Sequence, residues 1–181
     1  MDAGMISPPD QAALADALLG VGLPAAAQHA LQLASLAWRD DIVAEQHLHQ
    51  AQMLAPDHAA VLIGFYRYYF YKNRLDDALV IARLCLLKAA RDNALDPDWR
   101  RVEPEDADFG SYAAALPRFY LFTLKAYAYL QLRLGHIAEG GDAARKALAL
   151  DPSDKVGAQV LLDVLARSMV DGHASENGDR R

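Results

Sequence analysis

The chain has 181 residues and a mass of 19.8 kDa, enough for one domain, and its 53% hydrophobic content argues against disorder. A net charge of -6 with pI near 5.4 excludes a general binder of nucleic-acid phosphates, which needs a positive footprint. The single cysteine, Cys85, excludes an intramolecular disulfide, and the longest apolar stretch, VLIGFYRYYFY, is 11 residues long with Arg67 inside it, against about 20 needed to cross a bilayer.

The N-terminus MDAGMISPPD carries no basic region and breaks at Pro-Pro, so it does not read as a signal peptide. A soluble, cytoplasmic protein with no membrane partner is expected. Residues 1–23 form an N-terminal segment in which Asp10 caps a short helix over about 11–19, ended by Gly20-Val-Gly22. Pro24 suits a first helical position and opens a helix running to about Trp38. Asp40 and Asp41 cap the next helix, which runs to about Leu54 before Pro56. Helices at about 59–72 and 75–92 follow, then a long interruption, then helices at about 118–133 and 137–150. A last helix at about 154–169 has no partner, and the polar tail 171–181 reads as disordered.

An internal echo organises these elements. Ala44, Ala51 and Pro56 recur 34 residues later as Ala78, Cys85 and Ala90, and again 62 residues further on as Gly140, Ala147 and Pro152. The second spacing is the first plus an insertion of 28. Small residues at fixed offsets with a period of 34 mark helix–turn–helix repeats.

The turns KNRLDDAL and LRLGHIAEG and the terminus KALALDP resemble those of tetratricopeptide repeats. In the third unit Leu124, Ala128, Leu134-Gly135, Ala147 and Asp151-Pro152 stand at that family's packing and turn positions, as Leu62, Phe65, Tyr69 and Ala78 do in the second. The first unit departs, with Gln28, Gln32 and Ser35 in its first helix, and the second lacks the closing proline, so its second helix should run on towards Asn93. The resemblance implies an all-α fold: a short right-handed α-solenoid over 24–152 with repeats at about 25–58, 59–92 and 118–152 and capping helices on both sides, the last over 153–170. An acidic insertion occupies about 91–117, and its residues 91–110 hold seven carboxylates and three arginines. It reads either as a solvated linker or as a loop that Trp99 and Phe109 pin across the groove or present as a second contact surface. Aromatic rings are costly to leave in water, so at least one should be docked.

In that family the first helix of each repeat lines a concave groove that holds a polypeptide. Helical periodicity then places Leu62, Phe65 and Tyr69 in the packing stripe and turns Ile63, Arg67, Phe70 and Tyr71 towards the groove. The corresponding positions of the third unit are Phe122, Lys125, Tyr129, Leu132 and Arg133, and those of the first are Ala26, His29, Leu33, Leu36 and Ala37. The alternative for the FYRYYFY run is that packing between helices absorbs four of its six rings. Rings interleaved with Arg67, Lys125 and Arg133 suit a protein or peptide client with apolar and acidic residues.

Two subclasses are distinguishable. Co-chaperones of this fold grip a C-terminal carboxylate with Lys and Asn, but His29, Leu33 and Gly64 occupy those places here. Chaperones of type III secretion translocators are similar in size and groove character but lack such an insertion. The segment PRFYLFTLKAYAYLQLRLG is also similar to small repeat proteins encoded beside bacterial nitrogen-fixation genes.

No catalytic or metal constellation is legible. His47 and His49 lie about 200° apart on a helix, and the Glu45–His49 pair has no third ligand. HExxH, Walker and GxGxxG motifs are missing. The expected function is therefore a non-enzymatic, cofactor-free adaptor or assembly chaperone. The alternative is a scaffold subunit of a permanent oligomer, and a homodimer is compatible with either.

Overall fold

The structure, a computed structural model, describes residues 22–167. The helix expected at 11–19 and the tail at 171–181 lie outside them. The described residues are all helical, without strands. Six complete helices run over Ala25–Leu36 (α1), Asp41–Leu54 (α2), Ala59–Tyr71 (α3), Leu75–Asp92 (α4), Ala115–Arg133 (α5) and Ile137–Leu150 (α6), and 159–167 belong to a seventh, α7. They pair in chain order as the hairpins α1/α2, α3/α4 and α5/α6. Contact is also extensive between α4 and α5, and thinner between α2 and α3.

Local chemistry explains the boundaries. The Asp40 carboxylate accepts the Val43 N–H at 3.2 Å, satisfying a free donor at the start of α2. The second and third hairpins turn in the same way, 62 residues apart. Asn73 (φ 57°) and Gly135 (φ 83°) are left-handed, and each is followed by a wrap-around bond: Arg74 N–H to Tyr69 O at 2.9 Å, His136 N–H to Gln131 O at 2.8 Å. This is the glycine- or asparagine-dependent stop that ends many helices. α5 begins at Ala115, three residues ahead of the sequence expectation, because Pro117 sits in its first turn, where a missing N–H costs nothing.

The echoed small residues are contact points. Ala44, Ala51, Ala78, Cys85, Gly140 and Ala147 are all buried. At Gly140 a Cβ would lie 2.6 Å from Leu132 Cγ and 2.9 Å from the Ala128 carbonyl oxygen, so α5 and α6 cross with no room for a methyl group. Gly64 plays a similar part on α3, where a Cβ would meet Leu31 of α1 at 3.1 Å.

The insertion is docked by Trp99 and Phe109. Trp99, Val102 and Phe109 are buried, and two short 3-10 turns, Trp99–Arg101 and Pro104–Asp106, shape the segment. Trp99 packs on Tyr127 at 6.4 Å between centroids and Phe109 on Tyr120 at 5.9 Å, while Lys146 Nζ donates to the Val102 carbonyl at 2.8 Å and Arg100 pairs with Glu139. Tyr120 and Tyr127 stand two positions from Phe122 and Tyr129, hence on nearly the opposite side of α5. The loop therefore clasps the third hairpin from behind and does not cross the face proposed as a groove.

The C-terminal helix also differs from expectation. Asp154 (φ 52°) and Gly157 (φ 70°) are left-handed, so no helix can run through 154–157. Asp154 instead accepts from Ala158 N–H at 2.5 Å and Gln159 N–H at 3.1 Å, which delays the start of α7 to 159. No helix among the described residues is long and apolar enough to cross a membrane.

Candidate functional site

Of the six rings in FYRYYFY, Phe65, Tyr68 and Tyr69 are buried, Tyr66 and Phe70 are half-buried, and Tyr71 is 47% exposed. Packing absorbs the stripe that periodicity assigned to it, and the neighbouring stripe stays at the surface. Ile63 is half-buried against the core and Arg67 is exposed. Arg67 has no hydrogen-bond or ion-pair partner among the described residues.

The rings of this stripe join others from both flanking hairpins. Trp38, just after α1, lies 6.4 Å from Tyr71; Tyr71 meets Phe70 edge-on at 5.5 Å; and Phe70 lies 5.7 Å from Tyr129 of α5. Tyr66 stacks on Phe70 at 5.7 Å, and burial, followed by Cys85 and Tyr129 nearby, raises the pKa of its hydroxyl. A continuous track of aromatic surface thus crosses all three hairpins. Sequence reading missed Trp38 and Tyr66, because periodicity within one helix cannot show which ring meets a ring on another. The tryptophan two residues before the Asp40 cap was the available signal.

Cations flank the track. Lys72 Nζ sits 5.0 Å from the Trp38 ring centroid, donates to the Trp38 carbonyl at 2.7 Å and pairs with Asp41 at 2.7 Å. Arg133 lies over Tyr129 at 5.7 Å and donates to its hydroxyl at 2.7 Å. Such contacts hold the guanidinium beside the ring.

Lys125 does not belong to this face. It is 5% exposed, and its ammonium donates to the Val156 carbonyl at 2.6 Å, beneath the turn that precedes α7. Burial lowers its pKa, with Asp154 opposing that shift. The irregular turn at 154–157, which periodicity could not show, folds over a position expected to be open. Phe122, two turns from Tyr129 on the same side of α5, is half-buried against the core. The structure therefore brings together Phe70, Tyr71, Tyr129 and Arg133, with Arg67 and Ile63 on the same side of α3, and removes Lys125.

Other candidate chemistry is accounted for by packing. Burial pushes the Cys85 thiol up to about 12, far from a reactive thiolate. His49 Nδ1 is 2.7 Å from the Glu45 carbonyl, while the Glu45 carboxylate pairs with Arg74 at 2.5 Å. Among the described residues no cluster of three His, Cys, Asp or Glu side chains could hold a metal ion.

No family model matches the chain, and no solved structure matches it. It is similar to the "uncharacterized 19.8 kDa protein in nifW 5' region" of Azotobacter chroococcum mcd 1, with 42% identity over 127 residues, 68% of this chain and 70% of the other.

Proposed function

This chain belongs to the family of that nifW-region protein, and on that footing we propose that it is a non-enzymatic adaptor or assembly chaperone that holds a segment of a client polypeptide. The hairpins are read as tetratricopeptide-like units stacked into a short right-handed α-solenoid, with α1, α3 and α5 on its inner wall. The identical turns at Asn73 and Gly135 and the buried small residues at the echoed positions support that reading. The relative's place in a nifW 5' region favours an accessory role in nitrogen fixation over one in secretion.

The observation that carries the proposal is the aromatic track Trp38–Tyr71–Phe70–Tyr129, with Arg67, which has no partner among the described residues, beside it. Rings offer large contact area with few rotors to freeze, and a lone guanidinium beside them selects for a carboxylate. The client is therefore a segment with apolar side chains and at least one acidic residue. Tyr71→Ala should weaken client capture by about 2 kcal/mol if it is an anchor. Arg67→Glu should weaken it further in low salt than in high salt. Quantitative pull-down from extracts of nitrogen-fixing cells, with helicity monitored by circular dichroism, tests both. Undiminished capture by the double variant would remove the track from the binding surface.

A further inference from the structure

The surface of α4 that faces away from its buried side carries Val80, Leu84 and Leu87, exposed at 56%, 41% and 48%. They stand at i, i+4 and i+7, so they form one apolar stripe along the helix. The internal echo shows that this stripe is peculiar to α4. Thirty-four residues earlier, α2 has Gln46, Gln50 and Met53 at the matching places, and 62 residues later α6 has Asp142, Lys146 and Ala149. Two of three outward positions are thus polar on each neighbouring second helix, and none is on α4.

The ends of the stripe are charged with opposite sign. Asp76 lies in the first turn of α4 and Arg91 in the last. Val80 and Leu87 are symmetric about a point between Arg83 and Leu84, and so are Asp76 and Arg91. We propose that this face of α4 binds the same face of a second copy of the chain, antiparallel, about a two-fold axis that passes between Arg83 and Leu84. In that register Val80 of each copy meets Leu87 of the other, the two Leu84 side chains touch at the axis, and each Asp76 faces an Arg91. A self-complementary patch of this kind is what an isologous dimer requires. Arg83 sits beside the axis, with its aliphatic stem on the opposing Leu84 and its charge in water. One helix pair gives a small interface, so the dimer is weak and concentration-dependent. None of Trp38, Phe70, Tyr71 and Tyr129 belongs to this face of α4, so a client keeps two sites per particle.

Sedimentation equilibrium of the full chain over a broad concentration range tests the proposal. The wild type is expected to pass from monomer to dimer, and Leu84→Glu to stay monomeric with unchanged circular dichroism. Asp76→Arg and Arg91→Asp should each raise the dimer dissociation constant by about tenfold, and the double exchange should recover most of that loss because the facing charges again differ in sign. Recovery also separates the intermolecular pair from the ion pair that Arg91 makes with Asp57 at 3.2 Å within the chain. A wild type that stays monomeric throughout overturns the proposal. So does a dimer indifferent to Leu84→Glu, one lost instead on Tyr71→Ala, or a double exchange no better than either single change.

Discussion

The two seams that join the hairpins are built from different materials. Between the second and third hairpins, α4 and α5 are in extensive contact, and each carries a long buried apolar stripe: Ala82, Cys85, Leu86, Ala89 and Ala90 on one, Tyr120, Leu121, Leu124 and Ala128 on the other. Among the described residues no ion pair links these two helices. The first and second hairpins meet through a thinner contact stitched by polar groups. Tyr68 donates to Asp41 at 3.0 Å, Lys72 bridges Asp41 and the Trp38 carbonyl, and Arg74 reaches Glu45. Rings add to the stitching, with Trp38 edge-on to Tyr68 at 5.6 Å and His49 to Phe65 at 5.2 Å. Apolar burial scales with area and ignores salt, whereas partly exposed ion pairs contribute little and are screened. The first hairpin should therefore open before the rest of the molecule does.

Three perturbations sharpen that contrast. Leu124→Ala, in the fully buried stripe of α5, should cost about 3 kcal/mol and lower the melting temperature of the whole chain in one transition. Lys72→Ala should cost about 1 kcal/mol, since the ammonium is partly exposed, and the loss should be local. Hydrogen exchange would then quicken in α1 and α2 while α4 and α5 keep their protection. Equal quickening in α5 would show the two seams to be coupled.

The smallest effect is a pH dependence. The Lys72 ammonium first, and the Tyr68 hydroxyl second, hold the Asp41 carboxyl below its ordinary value of 3.8. A carboxylate with a depressed pKa adds stability that is complete above the ordinary value and lost as pH falls through the lowered one. Protection of α1 and α2 should decline on acidification below about pH 4, ahead of α4 and α5. Asp41→Asn should flatten that decline without altering the exchange of α5.

Much of this architecture was readable from the chain. Asp40 announced α2, Gly135 announced the third turn, and Ala90 in place of the closing proline let α4 continue to Asp92. These are local signals, in which one side chain or one φ angle decides the outcome. The misreadings share the opposite character. Lys125 is covered by a turn 31 residues away. The aromatic face was half legible for the same reason: helical spacing separated Phe70 and Tyr71 from Phe65 and Tyr69, but the link to Trp38 and Tyr129 exists only in three dimensions.

The docked insertion bears on how the molecule can be modified. Loop closure costs grow with the length of free chain, and Trp99, Val102 and Phe109 divide the path from α4 to α5 into short tethers. The span at 103–106 is exposed, between anchors that hold either side of it. A fluorophore or affinity handle grafted there would ride on the third hairpin, on the side of α5 away from Phe122 and Tyr129.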